Sequence, residues 1–192
     1  MTERPLPATR RRAILDELDR VDMALYRAVA TTRTPLLDRW VCSLSRLADR
    51  SKVWIVVGGA IAALGGRRGR RAAVTGLAAA AASSAVVNLG LKLVGRRNRP
   101  DRVAAAVAPS RHVRMPASPS FPSGHTASAF AFAVAQAGSP PVLAAPVWLL
   151  ATAVGYSRVH TGVHYPGDVL AGAFVGACLG VGVASVARTV SR

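Results

Sequence analysis

Eight residues of types that do chemistry sit in three short polar stretches beside long apolar runs: Lys92 and Arg99; Ser123, Gly124 and His125; and Arg158, His164 and Asp168. A cation at the end of an apolar helix is costly unless it snorkels to water or meets an anion. Taken alone, Lys92 reads better as a snorkelling cation, and Arg99 reads as an ordinary flank charge. In the stretch PSFPSGHTAS (119–128), His125 lies where an apolar helix begins, behind Pro122, Ser123 and Gly124. A Gly-led helix start offers free backbone N–H groups and the positive end of a dipole, which suit an anion. The plainer reading makes Ser123 an N-cap and His125 a first-turn residue.

In the third stretch, His160, His164 and Asp168 are spaced four apart. On a continuous helix that spacing would align metal ligands, but Gly162, Pro166 and Gly167 argue against continuity. A loop followed by a helix starting near Gly167 instead lets Asp168 reach back to His164 and set its tautomer. Together the stretches supply two histidines, a carboxylate, three cations and a Gly-flanked helix start. Three cations suit a phosphoryl group, whose transfer needs positioned donors more than covalent help. A neutral histidine can attack phosphorus, and a protonated one can give a proton to the leaving oxygen.

These residues need a scaffold, and composition says which kind. Of 192 residues, 51% are hydrophobic and 18% charged, with mean hydropathy +0.30, which points to one membrane domain. Five apolar segments, near 53–66, 72–94, 124–138, 142–157 and 167–187, predict an all-α integral membrane bundle of about five transmembrane helices. A crossing takes about 20 apolar residues, so the first, third and fourth must borrow flanking residues or pack inside the bundle. With five crossings, the three polar stretches fall on one membrane face, while GRRGRR (66–71) and SPP (139–141) mark the other. Small-residue runs such as LAGAFVGACLGVG suit close helix contact in lipid.

Ahead of the bundle, residues 1–12 read as a loose Pro/Arg-rich start, and no cleaved signal peptide is expected because no apolar run follows the arginines. Ile14, Leu15, Leu18, Val21, Leu25 and Val29, then Leu36, Leu37, Trp40, Val41, Leu44 and Leu47, recur at helical spacing and predict two amphipathic surface helices. Residues 1–50 are thus expected to cap a membrane domain over 51–192. The net charge of +16 suggests anionic lipid. A nucleic-acid partner is not expected, since the arginines are divided between opposite faces without interleaved aromatics. Arg97, Arg102, Arg111 and Arg114 read as a basic rim on the face of the motifs, an excess that leans toward a cytoplasmic site. Cys42 and Cys178 have no metal-type or disulfide spacing.

Lys92, then Arg99-Pro100 after six residues; Pro122-Ser123-Gly124-His125; and Ser157-Arg158, then His164 after five residues and Asp168 after three more: this order and spacing closely resembles the three-part signature of the type 2 phosphatidic acid phosphatase superfamily. The likeness covers about residues 53–187. It implies a multi-pass cell-membrane phosphatase acting on a lipid phosphate, without metal or cofactor. In that resemblance His164 is the nucleophile that forms a phosphohistidine, Asp168 orients it, and His125 protonates the leaving alcohol and then serves as base toward water. Lys92, Arg99 and Arg158 clamp the phosphate, with Ser123 and the Gly124 N–H completing the cradle. Asp101 departs from the residues common at its position, and His160 lies outside the pattern, with at most a supporting role. Candidate substrates are phosphatidic acid, phosphatidylglycerophosphate, a polyprenyl pyrophosphate, or a polyprenyl-phosphoryl sugar phosphate such as decaprenylphosphoryl phosphoribose. The vanadium haloperoxidases share the cradle but are soluble and larger, and an inactive membrane scaffold would have no need of His164 beside Asp168.

Overall fold

The computed structural model describes residues 8–190, and among them every regular element is helical. Helix α1 (Ala8–Thr31) starts earlier than expected, so only residues 1–7 of the anticipated loose start lie outside the described residues. Helix α2 (Pro35–Leu47) follows, with Pro35 in its first turn and Thr34 donating a hydrogen bond to Asp38. On these two helices Leu15, Leu18, Leu36 and Trp40 are exposed. A tight turn, Asp49–Ser51, leads into α3 (Lys52–Leu64).

Helix α4 (Gly66–Val86) incorporates GRRGRR as its first turns and runs through a π-helical turn, Val87–Leu91, into the last short helix α5 (Lys92–Val94). After a long loop come α6 (Gly124–Ala135), α7 (Pro141–His160) and α8 (Pro166–Val190). All five predicted apolar segments form helices. Three are long and apolar enough to cross a membrane: Gly66–Val94, Pro141–His160 and Pro166–Val190. The fourth segment reaches that length by taking in Pro141 at one end and Arg158, Val159 and His160 at the other. Helices α3 and α6, of 13 and 12 residues, fall short of the roughly 20 residues that a crossing takes.

Helix α6 is the centre of the bundle, with Ala127, Ala129, Ala131, Phe132 and Ala133 wholly buried among α4, α7 and α8. Phe132 packs on Trp54 of α3, their ring centres 5.0 Å apart. The close approach of α8 comes from Gly172, Gly176 and Gly180, where a Cβ would fall on the carbonyl oxygens of Ser123, Ala127 and Ala131. Backbones this close gain the dispersion contacts that hold helices together in lipid. The same contact sets the start of α6 against the start of α8, and Ser123 N–H donates to the Asp168 carbonyl at 2.9 Å.

Seven of the nine Asp and Glu residues precede residue 51, and several of them bind cations of the bundle. Arg97 pairs with Asp22 (2.7 Å) and Asp19 (3.0 Å) of α1. Buried Arg111 pairs with Asp38 (2.9 Å) and donates to the carbonyls of Val29, Ala30 and Thr32, tying the long loop to the α1–α2 turn. Arg102 donates to the Val113 carbonyl. The expected basic rim is therefore partly an internal frame, because these guanidiniums find carboxylates and carbonyls that sequence spacing does not place near them.

Candidate active site

The three polar stretches meet at one end of the bundle. A cavity of about 240 Å³ is lined there by Lys92, Arg99, Gly124, His125 and His164, with Ser84, Asn88, Ser118 and Ser128. At about 30 Å³ per water, it has room for a small headgroup. Ser123, Arg158 and Asp168 are buried beside it, off its lining.

His164 lies in the turn between α7 and α8, which Gly162 makes possible by adopting φ +67° where a Cβ would also meet Arg102 and Tyr26. Its Nδ1 is 3.4 Å from Asp168 Oδ2, and its Nε2 is 3.3 Å from Arg99 Nη1. A guanidinium only donates, so Nε2 is the accepting nitrogen and Nδ1 carries the proton toward Asp168. Burial foremost, with the Arg99 and Arg158 cations opposing the pull of Asp168, pushes the His164 pKa down to about 3. The imidazole is thus neutral at physiological pH, with a lone pair at Nε2.

Asp168 itself is saturated with donors. Oδ2 accepts from Ser120 Oγ and from Tyr165 N–H at 2.9 Å, and Oδ1 accepts from Arg97 Nη1 at 3.1 Å. Arg97 is in turn stacked on the Tyr165 ring, 4.2 Å from its centre. Asp22 adds a bond from Gly167 N–H at 2.7 Å, so α1 grips the start of α8 directly.

The cations have separate anchors. Buried Lys92 donates to Ser118 Oγ at 2.9 Å. Arg99 donates to the carbonyls of Ser118 (2.8 Å) and Val163 (2.7 Å). Arg158 donates to Ser45 Oγ of α2 at 2.8 Å, while its buried Nε has no hydrogen-bond partner among the described residues. An orphaned buried N–H is rare and calls for an acceptor, which a phosphate oxygen would supply. Ser123 caps α6, its Oγ accepting from the Thr126 N–H at 3.4 Å and from Thr126 Oγ1 at 2.9 Å, so the plainer reading of this residue holds for its acceptor side. Its remaining hydroxyl proton and the Gly124 backbone are what the start of α6 offers an anion.

His125 Nε2 is 2.8 Å from Asp49 Oδ1. His160 does not join His164: its Nε2 is 3.0 Å from Asp38 and its Nδ1 is 3.2 Å from the Tyr156 hydroxyl, which docks α2 on α7. Sequence reasoning missed Arg97, Ser118, Ser120, Ser45 and Asp49. Ser120 lay within the quoted PSFPSGHTAS stretch, whereas the N-terminal residues carried no spacing signal.

The PAP2 superfamily profile matches residues 73–192. Decaprenylphosphoryl-5-phosphoribose phosphatase of Mycobacterium tuberculosis is 38% identical over 145 residues, 74% of this chain and 76% of that protein. Its namesake in Mycolicibacterium smegmatis is 37% identical over 132 residues, 68% of each chain. Among solved structures, Aquifex aeolicus LpxE superposes with a TM-score of 0.68 at 28% identity, covering 86% of this chain and 95% of its own. The transmembrane PAP2-type phosphatidylglycerolphosphate phosphatase of Bacillus subtilis gives 0.67 at 24% identity, covering 92% and 89%, a likeness of fold alone.

Proposed function

The chain belongs to the PAP2 superfamily and is a membrane lipid phosphatase; on that premise we propose that it releases the terminal phosphate of a polyprenyl-phosphoryl sugar phosphate, at the cell membrane, through a phosphohistidine at His164. The observation that carries this reading is the His164 imidazole, neutral, with Nδ1 on Asp168 and Nε2 at a cavity lined by Lys92, Arg99 and His125. Two mycobacterial relatives bear the name decaprenylphosphoryl-5-phosphoribose phosphatase. The cavity wall of Ser84, Asn88, Ser118 and Ser128 offers hydroxyl and amide groups to a sugar, where a diacylglycerol would present ester and acyl surface.

Lys92, Arg99 and Arg158, with the Ser123 hydroxyl and the Gly124 N–H, neutralise the phosphate oxygens as charge spreads over them. Nε2 of His164 forms the N–P bond while the P–O bond to the alcohol breaks. The leaving oxygen keeps the bonding pair and takes a proton from His125. Asp168 stabilises the imidazolium that results. Water, deprotonated by His125, then attacks phosphorus, the N–P bond breaks, and inorganic phosphate leaves. In this reading residues 51–192 are the catalytic domain and residues 1–50 its membrane-surface cap.

A panel of lipid phosphates assayed for released phosphate, with chelator present, tests this. His164→Ala is expected to cut turnover by about a thousandfold or more and to abolish acid-labile ³²P labelling of the protein. Full release by His164→Ala, or activity only with added divalent metal, overturns the mechanism. Preference for phosphatidic acid over every prenyl phosphate overturns the substrate class.

A further inference from the structure

We infer that Asp49 is a positioning residue for proton transfer, holding His125 by Nε2 so that Nδ1 is presented to the leaving oxygen and the charged form of the imidazole is favoured. The inference rests on the reading of His125 as the acid. The Asp49 Oδ1 to His125 Nε2 distance is 2.8 Å, and with Nε2 engaged, Nδ1 is the nitrogen left to donate. The balance of the step is unchanged: Nδ1 gives its proton to the alkoxide as the P–O bond breaks, and Asp49 keeps its charge.

The charges around His125 say why such a partner is needed. Lys92 of α5 and Arg99 of the long loop share its cavity with neutral His164, and Arg158 of α7 approaches the same Asp49 oxygen, its Nη1 3.7 Å from Oδ1. Asp168 is spent on Ser120, Arg97 and Tyr165. Burial foremost, then the Arg158 and Lys92 cations, disfavour an imidazolium at His125, and a bonded carboxylate favours it; Asp49 is the carboxylate in contact. The hydrogen bond from His125 holds the Asp49 carboxyl below its usual range, so it is ionised at neutral pH.

The backbone is bent to deliver it. Arg50 and Ser51 adopt φ of 56° and 59° in succession, a left-handed pair that non-glycine residues rarely form and that surrounding structure must hold in place. The preceding helix supplies Ser45, whose hydroxyl and carbonyl accept from Arg158 at 2.8 and 3.2 Å. One segment, 45–51, thus holds both an acid and a clamp whose motifs lie far along the chain.

The test is the pH dependence of kcat and KM on a lipid phosphate for the full-length protein in detergent. Asp49→Asn is expected to lower kcat roughly ten- to hundredfold at neutral pH, a share of the 10²–10⁴ that general acid catalysis contributes. Its alkaline limb should move about one pH unit toward acid, with KM changed less than about threefold. Asp49→Glu should recover most of kcat. If Asp49→Asn does not fold, Asp49→Glu carries the test by the position of its alkaline limb, which must lie acid-ward of wild type. A kcat equal to or above wild type, as expected of a carboxylate that merely competes with the phosphate, overturns the inference. So does a loss that is uniform across pH. His125→Ala separates the two levels: full activity there sinks the acid assignment itself, whereas an inactive His125→Ala beside a wild-type profile for Asp49→Asn sinks only the role of Asp49.

Discussion

Residues 52–190 and residues 8–51 are both helical, yet they bring opposite things to the site. The bundle brings cations, histidines and one carboxylate, each in a motif with fixed spacing. The N-terminal region brings carboxylates and a serine without any motif: Asp22 on Gly167 and Arg97, Asp38 on Arg111 and His160, Ser45 on Arg158, Asp49 on His125. A site built to hold phosphate gathers positive charge, and positive groups buried together need anions or carbonyls when no substrate is present. The N-terminal helices are thus more than the surface caps that their amphipathic pattern suggests, since their polar faces close the electrostatic frame of the bundle.

That contrast can be broken from either side. The largest effect is expected in the bundle, at Gly176→Leu. A side chain there meets the Ala127 backbone, so α8 must move off α6, and little folded, active protein should survive purification by size exclusion in detergent. The matching change on the exposed face, Phe174→Ala (72% exposed), should leave elution and activity near wild type; equal damage at both positions would mean that the glycine contact does not set the helix spacing.

A smaller effect is expected where the two regions meet. Arg97→Ala removes a charged hydrogen bond to Asp168, of a kind worth about 1.5–3 kcal/mol, and with it two anchors of α1. Phosphate release should fall roughly ten- to hundredfold, with Asp22→Asn following in the same direction by less. Wild-type kcat in both variants would show that α1 does not position Asp168.

The smallest effect is a pH dependence of stability owed to the bundle alone. The folded pKa of His164 is depressed to about 3 against about 6.5 in an unfolded chain. Between these values the unfolded state binds a proton that the folded state does not, so stability must fall as pH drops below about 6.5. Comparing Tm in detergent at pH 7.5 and 5.5, wild type should lose more than His164→Asn. An equal loss would assign the acid sensitivity to other groups, the N-terminal carboxylates among them.

Much of the bundle was legible beforehand because its signals are local. Apolar runs announce helices wherever they pack, and Lys92, Arg99, His125, Arg158, His164 and Asp168 keep spacings that a helix end or a Gly-Pro turn converts into position. The four-residue spacing of His160 and His164 does not make them neighbours, as Gly162 led the sequence reading to expect: His160 turns toward Asp38. One signal misled for a local reason, since Arg97 and Arg111 looked like rim charges, yet Arg111 is 2% exposed.

From the sequence alone came the membrane class, the helices and the set of groups that can hold and attack a phosphate, because hydropathy and motif spacing depend on residues close together in the chain. Tertiary structure alone decided which nitrogen of His164 faces Arg99, that Ser45 of α2 anchors Arg158, and that Asp49 meets His125 across 76 positions. Those contacts join residues with no periodic relation, and only the packing of α6 against α8 and of the N-terminal turn against both brings them within hydrogen-bond reach.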